Sequence, residues 1–294
     1  MKNIFFGVML FLAAIITKAQ PATAEPEILY GAIQKKNLLQ PPFNVWFNPG
    51  YDNYKPDPEV NNKLKKLLTK EISIQLFLGT WCGDSKREVP RLMKILDELS
   101  FPGKNLQLIA LGGGDSLVKQ SPQHEEAGKG IFRVPTVIVY RNGVEINRIN
   151  EFPALSLESD LYAILSGQSY TPNYKSFPAI KSWLDNGTLL NKNISARSLA
   201  AQLRSITAGE NELNSLAYLL LKQGKKEEAL KVFQVNYNLY PESANVMSSL
   251  GEGYSKAGDT KNAVISLEKA LEMNEDPKMV KEILTALYEA KGIK

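Results

Sequence analysis

One cysteine, Cys82, is the only thiol in 294 residues. It stands in Trp81-Cys82-Gly83-Asp84-Ser85, behind the apolar run Ile72–Leu78 and ahead of a helical pattern over residues 86–99. A strand that delivers a cysteine to the start of a helix sets up nucleophilic sulfur chemistry. The helix's leading N–H groups and its dipole favour an anion there, and the thiolate is the form that attacks disulfides. Asp84 opposes charge on the sulfur, Lys86 and Arg87 offset part of that, and Ser85 can donate a hydrogen bond to a thiolate. With no second cysteine in the chain, an intramolecular dithiol cycle is chemically impossible. A mixed disulfide formed at Cys82 needs an outside thiol to release it.

Other chemistry-bearing patterns are weaker. His124 is the only histidine, in a polar stretch without partner spacing for a metal, so no metal site is expected. Gly112-Gly113-Gly114-Asp115 follows a strand pattern, but no Gly-Lys-Ser/Thr follows and the spacing fits no phosphate fingerprint, so it reads as a flexible loop. No cofactor is implied.

The elements that must position Cys82 can be taken in order. Residues 61–70 place Leu64, Leu67 and Leu68 on one helical face. Ile72–Leu78 is a buried strand, residues 86–99 a helix and residues 106–111 a further strand. A helix is expected over residues 119–129. Residues 134–140 and Val144–Asn150 form a hairpin around Asn142-Gly143, a pair suited to a type I′ turn, and residues 157–165 close the unit as a helix.

With those residues in place, the stretch resembles the thioredoxin superfamily, whose site is Trp-Cys-x-x-Cys. Pro90 lies eight residues after Cys82, where that family kinks its active-site helix. Gly130-Ile131-Phe132-Arg133-Val134-Pro135-Thr136, running into Val137-Ile138-Val139-Tyr140, is similar to the segment that carries the family's cis-proline. The resemblance covers about a third of the chain and implies an α/β thioredoxin-like fold, a mixed sheet flanked by helices, over residues 59–168. It further implies that Trp81 shields the thiol and that Val134, Pro135 and Thr136 form an edge for substrate backbone, with Pro135 in a cis bond. Two positions depart from the family. Ser85 replaces the resolving cysteine, and Leu76 stands where many members bury a carboxylate that serves that second thiol.

The length suggests two domains, and the composition, 44% hydrophobic and 22% charged, is that of an ordinary globular chain. A net charge of +4, spread along the sequence, leaves no nucleic-acid footprint. Residues 1–19 differ: a short basic start, an apolar run over residues 4–16, then Thr17 and Ala19 at the −3 and −1 positions of a cut before Gln20. They read as a secretory signal peptide, with cleavage after Ala24 as a second solution and an uncleaved anchor as the only route to a membrane. The expected location is periplasmic or extracellular, where disulfides persist. Residues 20–58 form an N-terminal extension, proline-rich and aromatic, that packs on the following domain and adds at most one strand.

Residues 169–193 read as a connector with a short helix over residues 180–184. Residues 194–294 are an all-α helical-repeat domain. Leu216, Leu250 and Leu284 are 34 residues apart, as are Gly224, Gly258 and Gly292, while Ala229 recurs as Ala263. This period resembles the tetratricopeptide repeat, with a helix over residues 195–206 in front and residues 277–294 capping the stack. So few units are expected to lean on the neighbouring domain.

Two functions follow as expectations. In the first, an exported enzyme performs monothiol thiol–disulfide exchange or isomerisation through Cys82, taking protein or glutathione mixed disulfides, with an external resolving thiol. In the second, a redox-inactive adaptor holds exported protein or peptide segments in its cleft and on its repeats.

Overall fold

The computed structural model describes residues 27–114 and 117–293; the signal segment expected over residues 1–19 lies outside them. The chain opens with β1 (Gly31–Ile33), a short α1 (Lys35–Leu38) and α2 (Asn44–Asn53). Next come α3 (Pro58–Lys65), β2 (Ile72–Leu78), α4 (Gly83–Glu98), β3 (Leu106–Ala110), β4 (Thr136–Arg141), β5 (Val144–Asn150) and α5 (Leu157–Ser166). The strands form one mixed sheet in the order β1-β3-β2-β4-β5. β2 and β3 are parallel, joined through α4, and every other pairing is antiparallel.

Alternation along β2 decides which face each side chain serves. Ile72, Ile74, Leu76 and Leu78 point into a core shared with Phe47 of α2, Val89, Leu92 and Ile95 of α4, and Leu161 of α5. Phe77 points the other way, with Ile109, Leu111, Ile131, Val134 and Ile138, and Trp81 and Cys82 pack against that cluster. Leu76, the position of the absent acid, is therefore core on the helix side. The N-terminal segment packs on the sheet and α4: β1 extends the sheet beyond β3, and the Tyr51 hydroxyl donates to Asp97 of α4 at 2.7 Å.

Two expected helices are corrected. The one placed over residues 61–70 begins at Pro58 and ends at Lys65, because Asp57 caps it, accepting from Glu59 and Val60 N–H at 2.8 and 3.1 Å, with Pro58 in the first turn. Residues 119–129 form no helix but a series of turns. Lys119 (φ 53°) and His124 (φ 55°) take left-handed conformations that break any i→i−4 ladder. The Ser121 hydroxyl takes over local bonding, accepting Glu125 N–H at 3.0 Å.

The helical region starts inside the stretch read as a connector. There α6 (Phe177–Asp185) buries Phe177, Ile180 and Trp183, followed by α7 (Ala196–Leu203). Two hairpins follow, α8 (Glu210–Lys222) with α9 (Lys226–Leu239) and α10 (Ala244–Lys256) with α11 (Thr260–Met273), and α12 (Pro277–Ala290) covers the end. Gly224, Gly258 and Gly292 all sit at positive φ just past α8, α10 and α12, so the 34-residue glycine period marks helix ends that turn left-handed. Buried amides staple the hairpins: Asn236 Nδ2 donates to Asn214 Oδ1 at 2.9 Å, and Asn214 Nδ2 to Ser249 Oγ at 3.0 Å.

The array packs on the segment that connects β3 to β4. Val118 and Phe132 join the apolar cluster built by α6, α7, α8 and α9. The buried Glu212 carboxylate of α8 is fully engaged, accepting from Ser176 N–H at 3.0 Å, Ser176 Oγ at 2.5 Å and Ala208 N–H at 3.0 Å.

Candidate functional site

The turn from β2 to α4 brings Cys82 to the helix as its N-cap residue, in an extended conformation (φ −84°, ψ 129°). Cys82 N–H donates to Gly79 O at 2.9 Å and Cys82 O accepts Lys86 N–H at 3.0 Å, so the first turn of α4 closes directly behind the sulfur. The thiol is half-buried. Its S–H donates to Val134 O at 3.2 Å, and the Val134–Pro135 peptide bond is cis. Beside it Thr136 is buried, its hydroxyl donating to Arg133 O at 2.7 Å, while Pro135 O accepts Glu151 N–H at 2.7 Å.

Trp81 packs at the ends of β2 and β3, its Nε1–H donating to Leu111 O at 3.0 Å. The ring needs two glycines, since a Cβ at Gly79 or at Gly113 would come within 2.7 Å of it. The glycine run thus serves the indole and is no loose loop: Gly112 N–H donates to Gln120 O and Lys119 N–H to Gly112 O, both at 2.9 Å.

The structure therefore brings Trp81, Cys82, Val134, Pro135 and Thr136 into one cluster. Gly83 opens the helix on the exposed side, and Asp84 turns to Arg87, Oδ1 to Nη2 2.7 Å. Ser85 is placed differently from the sequence expectation. Its side chain is fully buried and its hydroxyl accepts Gly79 N–H at 3.1 Å, bracing the turn rather than donating to the sulfur.

Several groups beside the thiol carried no assigned role in the sequence. Arg133, next to Val134, stacks on the Tyr174 ring at 4.8 Å, hydrogen-bonds Ser215 of α8 and lies 3.8 Å from Glu151. The only available signal was an arginine interrupting an apolar run immediately before Val134-Pro135. Glu88 is buried on α4, with Oε1 2.5 Å from Arg87 Nε and Oε2 unpartnered. It lines a small cavity with Leu76, Pro135 and Glu151. Lys119 lies within electrostatic reach of Cys82, Arg133, Glu151 and Lys222. Among the described residues, no group of three His, Cys, Asp or Glu side chains is disposed to hold a metal ion.

Burial, helped by the Arg133 charge, pushes the Lys119 ammonium down to about 8. Because that value is below the ordinary lysine value of about 10.4, charging Lys119 costs the folded state more than the unfolded one. The penalty is full below about pH 8 and lifts as pH climbs toward 10.4. Stability should accordingly rise with pH across that window, and Lys119→Met should flatten the rise. Urea melts at pH 7 and 9.5 in a Cys82→Ser background, which removes thiol titration, measure it; equal slopes with and without Lys119 would refute the assignment.

Residues 246–278, spanning α10, α11 and the start of α12, match the tetratricopeptide repeat family model. No curated protein matches the chain. The chain thus carries a tetratricopeptide repeat in its C-terminal helical region, beside a five-stranded mixed sheet with flanking helices. Repeats of this kind commonly mediate protein–protein contact, consistent with protein partners.

Proposed function

We propose that the protein is an exported, thioredoxin-like monothiol exchanger whose nucleophile is Cys82. The observation that carries this is the position of Sγ: half-exposed at the first turn of a helix and 3.2 Å from the carbonyl that precedes cis-Pro135. The sheet order, the β2–α4–β3 crossover and the β4–β5 hairpin all support a thioredoxin-type domain.

The chemistry runs through sulfur alone. When the thiol loses its proton, its bond to Val134 O goes with it, freeing that carbonyl for a substrate N–H. The Cys82 thiolate attacks one sulfur of a disulfide, the old S–S bond breaks, and the distal sulfur leaves as a thiolate. An external thiolate then attacks the Cys82 mixed disulfide and Cys82 leaves as thiolate, or a second substrate thiol does so and the substrate is isomerised. Trp81 covers one flank of the sulfur. Ser85, turned inward, has no part in resolution.

A second reading is an adaptor without turnover, favoured by the tetratricopeptide match beside the cleft. Capture separates the two. Proteins linked to Cys82 should be recovered from the exported fraction under non-reducing conditions and released by reductant, and Cys82→Ala should abolish them. A thiol that alkylates as slowly as an unfolded cysteine, with no adducts, would overturn the exchanger. Partner binding that survives Cys82→Ala would then favour the adaptor.

A further inference from the structure

We propose that Arg133 is a positioning residue for Cys82: by gripping α8 of the repeat region it clamps the Val134–Pro135 edge against the thiol. The repeat region is then a working part of the sulfur site. This deepens the exchange reading above, and only the peptide reaction in its test depends on that reading.

The segment that leads into cis-Pro135 is held from two sides. Ile131 and Val134 join the sheet cluster against which Trp81 and Cys82 pack. Between them, Phe132 turns the other way, into the cluster built by α6, α7, α8 and α9, and Arg133 hydrogen-bonds Ser215 of α8. The Ser215 hydroxyl donates to Glu212 O at 3.1 Å, which leaves its lone pairs to the guanidinium. Arg133 also stacks on Tyr174 at 4.8 Å, Tyr174 stacks on Phe177 at 4.7 Å, and Phe177 meets Phe132 edge-on at 5.1 Å. The chain of rings thus returns to the residue beside Arg133 and closes on itself. Tyr174 adopts φ 64°, a left-handed conformation that a bulky residue keeps only where its surroundings hold it.

What this grip fixes is the carbonyl at the sulfur. Val134, the residue after Arg133, presents its O at 3.2 Å from Cys82 Sγ. Its neighbours are pinned as well: Arg133 O accepts from the Thr136 hydroxyl at 2.7 Å, and Pro135 O accepts Glu151 N–H at 2.7 Å. Those two bonds stay within the sheet unit, whereas the Arg133 side chain carries the hold across to the helices. A guanidinium suits the task, since its flat face stacks on a ring while its edge donates in fixed directions, which a lysine cannot do. Glu151, 3.8 Å away, is a weaker partner, and the buried Arg133 Nε–H donates to nothing among the described residues. The Tyr174 ring and Ser215 therefore do most of the holding.

The test compares two reactions of the full chain. Iodoacetamide needs the sulfur alone, whereas a peptide carrying one cysteine as a 2-thiopyridyl disulfide also needs the Val134–Pro135 edge for its backbone. Attack by Cys82 breaks the activated S–S bond, joins the peptide to Cys82 and expels thiopyridone, whose absorbance gives the rate. Ser215→Ala, which leaves every charge in place, should slow the peptide about threefold and Arg133→Ala about tenfold, while alkylation changes less than about twofold. Ser215→Thr keeps the hydroxyl and should restore the parent rate. Arg133→Lys keeps the charge but loses the flat face, and should behave like Arg133→Ala. The double variant should be no slower than Arg133→Ala, because both changes break one contact. Equal losses in both reactions, additive effects, or a peptide rate that Ser215→Ala leaves intact would overturn the proposal. If no peptide reacts with the parent protein, the exchange reading fails by itself. The clamp is then judged by hydrogen exchange of the Glu151 amide, which donates to Pro135 O. Exchange about tenfold faster in Ser215→Ala and Arg133→Ala, with the amides of α10 and α11 unchanged, supports it, and unchanged exchange at Glu151 overturns it.

Discussion

Ser85→Cys is expected to release mixed disulfides from Cys82 without any external thiol, at least about a thousandfold faster than the parent protein does in about millimolar thiol. Residue 85 lies three positions along α4 from the N-cap cysteine, within the same first turn. Well-oriented intramolecular reactions reach effective molarities of ~10^5 M, so a pair that achieves only about 1 M still outruns a millimolar competitor by that factor. The second sulfur attacks Sγ of Cys82, the substrate leaves as its thiolate, and an internal disulfide remains. The substitution has a structural cost. The Ser85 hydroxyl accepts Gly79 N–H in a fully buried place, and sulfur is a larger, poorer acceptor, so about 1 kcal/mol of stability should go with it. Single-turnover release from a preformed adduct, followed with and without added thiol, is the measurement, with free-thiol titration falling to zero in the product. Release that still waits on external thiol, in a variant that melts normally, would mean that residue 85 cannot reach Sγ and that the first turn of α4 is not built for dithiol geometry.

What could be read in the sequence was whatever short-range physics fixes. β2 runs over Ile72–Leu78 as expected, because alternation between Ile72, Ile74, Leu76 and the more polar Ser73 and Gln75 is a local pattern. The helix ends at Gly224 and Gly258 fall on the glycines of the 34-residue period, because left-handed backbone has a residue type that marks it. Where the same backbone falls on Lys119 and His124, no residue type announced it, and a helix was expected where turns stand. The start of α3 carried its own signal in Asp57-Pro58, an N-cap followed by a first-turn proline, but three leucines further along drew the boundary too late. The short helix expected over residues 180–184 begins earlier, at Phe177, because Pro178 sits in the first turn of α6, where a proline is tolerated.

The site divides in the same way. Trp81, Cys82 and Ser85 are neighbours in sequence, so their approach to a helix start could be foreseen. That Sγ meets Val134 across 52 residues came only through the resemblance of the segment around Pro135. The bond from Arg133 to Ser215, 82 residues on, had no such guide: nothing local in either stretch encodes a contact between sheet and repeats. The packing of the repeats against the segment that precedes cis-Pro135 rests on this class of contact, and with it the coupling of the repeats to the part of the chain that meets the thiol.

That coupling makes Phe233 the residue whose loss should be felt furthest. Phe233 is fully buried on α9, its ring set edge-on to Tyr218 at 5.0 Å, in space that Gly253 of α10 leaves open. The cluster around it runs through α6, α7 and α8 to Val118 and Phe132, next to Lys119 and Arg133. Phe233→Ala should cost about 3–5 kcal/mol, since the backbone of two packed hairpins cannot collapse into the gap. With so few repeats to share the loss, urea unfolding should shift to lower concentration in one transition, with helical circular dichroism and protection of Cys82 from alkylation lost together. Gly253 supplies the internal control. A Cβ there lies 2.6 Å from the Phe233 ring, so Gly253→Ala alone should destabilise by about 1–3 kcal/mol. In the Phe233→Ala protein the same methyl enters an empty space and brings alanine's helix preference, worth about 1 kcal/mol, so it should stabilise. A double-mutant cycle therefore has a coupling energy above about 1 kcal/mol with the sign reversed between backgrounds. Additive effects would show that α9 and α10 do not meet through this pair, and that the repeats reach the thiol by another route.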